Sequence, residues 1–244
     1  MVDLNSLNVK IFLDTANLDS IKSSLDQFPF IKGFTTNPSL MHKEGVNDYE
    51  AFCKKALEIS SNLPISFEVF SDNVVDMEKE ARIINSWGGN SYAKIPITNT
   101  KGELTTNVIK NLTKDGIKIN VTAIFTVEQV KKIIDFFEAE TPSIISVFAG
   151  RIADSGIDPI EIMNECSEII SKKKNVELLW ASSREILNII HAENTNSDII
   201  TIAPDILSKI KLLNKNLDDF SLETVKDFFK DAQNAGFNIQ NKDK

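Results

Sequence analysis

Eight short β-branched or apolar runs, separated by longer segments of helical period, recur along the chain at intervals of roughly 25 to 30 residues. They cover residues 11–13, 33–35, 65–70, 93–97, 118–121, 144–148, 177–181 and 199–202. Between them, Leu18, Ile21, Leu25 and Phe28 fall on one helical face, as do Val130, Ile133, Ile134 and Phe137 further on. A strand followed by a helix crosses over before the next strand pairs, so this alternation makes parallel strands. Eight such units in 244 residues suit one closed (β/α)8 (TIM) barrel, which takes about 250 residues. An open doubly wound sheet has the same alternation. No low-complexity linker divides the chain, so one domain over 1–244 is expected. An additional helix over about 221–235 carries Leu222, Val225, Phe228, Phe229 and Ala232 on one face. That face needs a partner, either the barrel or a neighbouring subunit, and a homo-oligomer is expected.

Local signals agree with this division. Thr126 with Gln129, and Ser182 with Glu185, have the spacing of a capping box. Gly33, Gly116 and Gly150 fall near element ends, where a positive φ is often needed.

Composition excludes several functions. With a net charge of −8, the chain lacks the broad basic face that nucleic acid or an anionic membrane requires, so neither is expected as a partner. No apolar run approaches the ~20 residues of a membrane helix, and the N-terminus lacks the pattern of a signal peptide. Cys53 and Cys166 form no CxxC pair, and His42 and His191 have no second ligand at a metal spacing. A metal-free, cofactor-free protein of the reducing cytoplasm is expected. Only three arginines occur, Arg82, Arg151 and Arg184, among many lysines. Each departure from lysine marks a place where a planar, bidentate donor for carboxylate or phosphate is useful.

A (β/α)8 barrel builds its active site at the C-terminal ends of its strands. Polar residues stand there on nearly every strand: Asp14, Thr35 and Asn37, Glu68, Lys94, Asn120 and Thr122, Ser146 and Arg151, Ser182 and Arg184. Lys94 is the most informative, because Tyr-Ala-Lys-Ile-Pro-Ile puts an ammonium group inside an apolar strand. Desolvation favours a neutral amine, which attacks ketones and makes an iminium electron sink for carbon–carbon cleavage. A snorkelling or ion-paired lysine is the plainer reading. Asp14 and Glu68 are candidates for proton transfer. Asp14 alone also fits a helix cap, and Thr-Thr-Asn-Pro fits a turn with Pro38 near the first helical position. Glu68, between Phe67 and Val69 in a buried strand, costs several kcal/mol or so if unpaired. Ser182 is explained by its capping box. A helix start there would also hold a phosphate, which would offset the unfavourable Arg184 in the first turn.

The segments LDTAN, GFTTNPS, SFEVF, AKIPIT, INVTAIFT, ISVFAGRIAD and ASSREI, in that order and each at a strand end, resemble the motifs of the transaldolases, including the short branch that contains the fructose-6-phosphate aldolases. The resemblance runs from about residue 11 to residue 202. It implies that Lys94 forms a Schiff base with a ketose phosphate. Asp14 would take the proton from the C4 hydroxyl, and Glu68 would act through a water held by Thr122. It also implies that Thr35, Asn37, Asn120, Ser146 and Phe148 line the sugar site, with Asn37, Asn120 and Ser146 bonding the dihydroxyacetone unit. Arg151, Ser182 and Arg184 would hold the phosphate. Glu68 is the residue usual in transaldolases where the aldolases carry Gln, and Phe148 stands where the aldolases carry Tyr. Ser183 occupies a position where an aromatic is usual. The expected activity is transfer of a dihydroxyacetone unit from sedoheptulose 7-phosphate or fructose 6-phosphate to an aldose phosphate, as in the pentose phosphate pathway. The alternatives are an aldolase releasing free dihydroxyacetone and a catalytically silent sugar-phosphate-binding barrel.

Overall fold

The computed structural model describes residues 2–138, 140–237 and 239. Strands β1 to β8 are Lys10–Asp14, Ile31–Thr35, Ile65–Glu68, Ser91–Pro96, Ile119–Ile124, Ser143–Val147, Val176–Trp180 and Ile199–Ile202. They pair in chain order, all parallel, and β8 closes on β1, so the closed barrel is the architecture and the open sheet is excluded. Helices α1 to α11 are Leu18–Gln27, Pro38–Lys43, Tyr49–Ile59, Val74–Ser86, Thr106–Lys114, Val127–Ile133, Ala149–Asp154, Pro159–Ile170, Leu187–Asn194, Pro204–Ser208 and Leu217–Asn234. Among the described residues no helix is long and apolar enough to cross a membrane.

The chain divides into two compact units. Asp3–Ser208 contains the whole barrel. Val2 with the described residues from Lys209 onward forms the other. In this second unit Val2 and Asn214 exchange two hydrogen bonds, of 2.8 and 2.7 Å. The helix expected over about 221–235 is α11, which starts earlier because the Asn216 side chain accepts from the amides of Asp218 and Asp219.

Strand periodicity sorts the barrel interior into levels. The lower level is an apolar plug of Phe12, Tyr92, Ile144, Leu179 and Ile199, capped by Ala181 and with Phe148 packed against it. One pleat toward the strand ends stand Asp14, Thr35, Glu68, Lys94, Asn120, Ser146 and Thr201. An apolar base beneath a polar upper wall follows from an i, i+2 change from apolar to polar on β1, β4, β6 and β8.

Two glycines serve close approach rather than positive φ. A Cβ on Gly33 would lie 2.6 to 2.7 Å from the Phe12 ring, so the plug needs glycine there. A Cβ on Gly150 would lie 1.5 Å from the Ser182 carbonyl oxygen, while the Gly150 amide donates to Ala181 O at 3.2 Å. Gly116 does have the expected positive φ, +74°. The capping box at Thr126 and Gln129 forms. The one at Ser182 and Glu185 does not, because Ser182 has φ 64° and α9 begins only at Leu187. Instead Asn188 Oδ1 accepts from the amides of Arg184 (2.7 Å) and Glu185 (3.2 Å), so the loop is held from inside the helix.

Gly150→Ala should therefore cost about 2–4 kcal/mol, through a rigid backbone clash. Gly116→Ala, in open space, should cost about 1 kcal/mol from φ alone. Thermal unfolding of the two variants checks the order. Equal losses would show that the β6–β7 loop contact is not fixed by packing.

Candidate active site

The upper ends of the strands enclose a cavity of about 370 Å³ lined by Asp14, Thr35, Asn37, Glu68, Lys94, Thr122, Ser146, Phe148, Arg151, Ser182 and Thr201, among others. Ten of the residues expected from the sequence are thus brought together. Asn120 and Arg184 are not among the lining residues.

Lys94 is 7% exposed, and its Nζ donates to the Thr36 carbonyl oxygen at 3.1 Å and lies 3.3 Å from Glu68 Oε2. Strand pairing sets this geometry, because β3 and β4 place Glu68 directly opposite Lys94. The register also places Asn120 beside Lys94 on β5. Asn120 is fully buried. It donates to Ser66 Oγ at 3.0 Å and accepts from Ser146 Oγ at 2.7 Å, so it braces the wall behind the cavity surface.

Asp14 is not a helix cap. Asn17 caps α1, its side chain accepting from Ser20 N at 2.8 Å. Asp14 instead receives hydrogen bonds from Thr35 Oγ1 (2.7 Å) and Asn37 Nδ2 (3.3 Å). Burial pushes its carboxyl above the ordinary aspartate range, opposed by the Lys94 charge and by these two hydrogen bonds. Asn37 serves two functions at once, since its Oδ1 also caps α2 through Leu40 N at 2.9 Å, with Pro38 at the first helical position.

A bulge in β5 breaks the pairing with β6 between Val121 and Ile124, and Ala123 within it has φ 61°. Thr122 and Ala123 both line the cavity. Thr122 Oγ1 is buried with no protein partner among the described residues. A buried, unpaired hydroxyl on a cavity-lining residue has its hydrogen-bonding capacity unused.

The arginines differ in their surroundings. Arg82 pairs with Glu78 and Asp115, and Arg184 with Asp154, its Nε 3.0 and 3.1 Å from the two carboxylate oxygens. Arg151 has no carboxylate ion-pair partner among the described residues, and its guanidinium lies over the Phe148 ring, 5.1 Å from the centroid. Phe148 packs in turn against Phe125, with ring centroids 5.6 Å apart. Among the described residues, the cavity wall thus carries an arginine with no carboxylate in contact, suited to an anionic ligand.

Sequence reasoning missed Thr201, whose Oγ1 lies 2.6 Å from Thr35 Oγ1. Its only signal is a hydroxyl within Ile-Ile-Thr-Ile, which is weak because threonine is common in strands. It also missed Ser66, the Thr36 carbonyl, and Tyr49, whose hydroxyl donates to Glu68 O at 2.6 Å. Ser183 gains a local explanation: its Oγ donates to Thr201 O at 2.7 Å and ties the β7 loop to β8. Both cysteines are buried, and burial raises the Cys166 thiol to about 12, so neither is poised to react.

The fold is shared with a crystal structure of a candidate phosphonomutase from Burkholderia cenocepacia, at TM-score 0.53 and 11% identity over 86% of this chain and 94% of that one. Closer likeness lies in sequence. A protein of Streptococcus equi subsp. zooepidemicus named probable transaldolase is 36% identical over 83% of this chain and 90% of its own length. One of Dehalococcoides mccartyi with the same name is 30% identical over the same shares. The model of the transaldolase/fructose-6-phosphate aldolase family matches residues 11–242. With a parallel barrel that sets a lysine, two carboxylates and an unpaired arginine around one cavity, the chain belongs to the transaldolase/fructose-6-phosphate aldolase family.

Proposed function

We propose that this protein is a transaldolase, moving a dihydroxyacetone unit from a ketose phosphate such as fructose 6-phosphate or sedoheptulose 7-phosphate to an aldose phosphate. The observation that carries the reading is a 7%-exposed Lys94 whose Nζ contacts Glu68 in the cavity that Asp14 also lines.

The steps follow from that arrangement. Lys94 must give up a proton before it can attack, and Glu68, its carboxylate contact at 3.3 Å, is the group that can take it. The neutral amine adds to the ketone carbon, and the carbinolamine loses its hydroxyl as water. Glu68 supplies that proton through a water on the orphaned Thr122 hydroxyl. Asp14 takes the proton of the C4 hydroxyl, the C3–C4 bond breaks, and its electron pair moves into the iminium to give an enamine on Lys94. The aldose phosphate leaves, a second aldehyde is attacked by the enamine, and Asp14 returns the proton. Hydrolysis of the new iminium frees the product ketose and Lys94. Asn37 and Ser146 lie on the cavity wall where the dihydroxyacetone hydroxyls would bond, with Asn120 holding Ser146. Arg151 and Ser182 supply donors for the phosphate. Arg184 could join them once it parts from Asp154.

The aldolase reading is the second candidate, and two residues weigh against it. Release of dihydroxyacetone needs protonation of the enamine, and Phe148 offers no hydroxyl for this. Glu68, having given up the Lys94 proton when the carbinolamine lost water, has none left for the enamine.

Borohydride added with fructose 6-phosphate should leave a reduced three-carbon adduct on the peptide containing Lys94, and Lys94→Met should abolish it. Label on a different lysine would remove the central claim. Arg151→Ala should lower kcat/KM by about 2–3 kcal/mol, mainly through KM, because the phosphate is remote from the breaking bond. Arg184→Ala, which breaks an exposed pair, should cost less. Steady-state kinetics with phosphorylated sugars decide this, and the reverse order would relocate the phosphate. Finally, fructose 6-phosphate consumption should be fast only with an acceptor such as erythrose 4-phosphate, and Phe148→Tyr should speed the slow release of dihydroxyacetone. Equal rates with and without acceptor in the unaltered protein would favour the aldolase.

A further inference from the structure

Thr35 has a single hydroxyl hydrogen and two close oxygen neighbours, Asp14 Oδ1 at 2.7 Å and Thr201 Oγ1 at 2.6 Å. All three residues line the cavity, with both threonines buried. A charged carboxylate only accepts, so facing it the Thr35 hydrogen goes to Asp14. The hydrogen in the Thr35–Thr201 contact then has to come from Thr201.

We propose that Thr201 is a positioning residue for the proton-transfer carboxylate, acting through Thr35 to orient and polarise a hydrogen-bond chain that ends on Asp14. This rests on the role given to Asp14 above.

The barrel closure makes the chain reachable. Register pairs Thr201 with Phe12 and Thr35 with Asp14, so β8 and β2 flank β1 and reach past it on the inner face. Ser183 Oγ fixes the Thr201 carbonyl. With Asp14 charged, both threonine hydrogens point toward the negative charge and both are used. With the proton of a neutral Asp14 on Oδ1 the chain reverses, and the Thr201 hydrogen loses its acceptor, since among the described residues Thr201 Oγ1 has no other hydrogen-bond contact; with the proton on Oδ2 the Thr35 bond is kept but is made to a neutral, weaker acceptor. The chain therefore favours the charged form, against the burial that opposes it. Lys94 from β4 acts in the same direction. The other charged groups on the cavity wall are Glu68 from β3 and Arg151 from α7, while β2 and β8 supply only hydroxyls. Thr35, with its hydrogen committed, has none left to donate to a sugar and can only accept from one.

The test is the titration midpoint of the Asp14 carboxyl, followed by carbon-13 NMR and assigned with Asp14→Asn. It is compared in the unaltered protein, Thr201→Val and Thr201→Ser. Valine should raise the midpoint by roughly 0.3 to 1 unit, and serine should restore it. Thr201→Ala removes the hydroxyl without adding bulk and carries the same expectation as valine. The acid limb of the kcat/KM profile for fructose 6-phosphate cleavage should move upward with it, while KM changes little. An unchanged midpoint in the Val and Ala variants, or a serine variant that behaves like valine, overturns the proposal. A midpoint that moves in a protein inactive on every ketose phosphate upholds the hydrogen-bond chain and removes only the assigned reaction.

Discussion

A lysine ammonium inside a barrel is costly unless something replaces its water, and here the replacement is one carboxylate and one backbone carbonyl. Glu68 Oε2 at 3.3 Å and Thr36 O at 3.1 Å meet Lys94 from the two preceding strand ends. Much of the surrounding structure serves that contact. The β3–β4 register sets the two side chains opposite one another. Tyr49 holds the Glu68 carbonyl from α3, and the Thr36 hydroxyl and amide both bond Ser66 O, which fixes the carbonyl that Lys94 uses. A pair of opposite charges on a cavity wall is also a reactive pair, since transfer of one proton leaves two neutral groups.

Below this level lies the apolar plug, and its fit decides how high the polar groups stand. Phe12 fills the space beside Gly33, so Asp14, two residues on, is lifted to the cavity wall with Thr35 at its side. At the far wall the β5 bulge releases Thr122 from regular pairing and leaves its hydroxyl without a protein partner. The left-handed Ala123 lies next to that unpaired hydroxyl, within the bulge that lines the cavity. Gly150 closes the remaining side by letting the Ser182 carbonyl press against the start of α7.

The cavity wall was legible in the sequence to the extent that it lies on strands. Asp14, Glu68, Lys94, Thr122 and Ser146 stand out because a polar residue breaks an apolar run at a strand end, and a parallel barrel brings such ends together. Loop residues were less legible. Ser182 reads as a capping residue, yet its backbone is left-handed, α9 has no side-chain cap, and Asn188, four residues beyond Arg184, holds the loop amides instead. Arg184 reads as a phosphate ligand, yet it pairs with Asp154, whose position thirty residues earlier becomes adjacent only when α7 and the β7 loop meet. Gly33 and Gly150 signal unusual backbone, but the sequence does not reveal whether the need is for angle or for space.

What the sequence determined by itself was the alternation of strand and helix and the level at which polarity enters several of the strands. Both follow from local periods of two and 3.6 residues, which a linear pattern carries in full. What only the tertiary structure decided was which polar groups share hydrogens. Closure of β8 on β1 brings Thr201 to Thr35 across 166 positions, and shear between β3, β4 and β5 sets Glu68 and Asn120 beside Lys94. Hydrogen bonds depend on distances of a few tenths of an ångström. Those are fixed by packing and register between distant strands, and no local pattern encodes them.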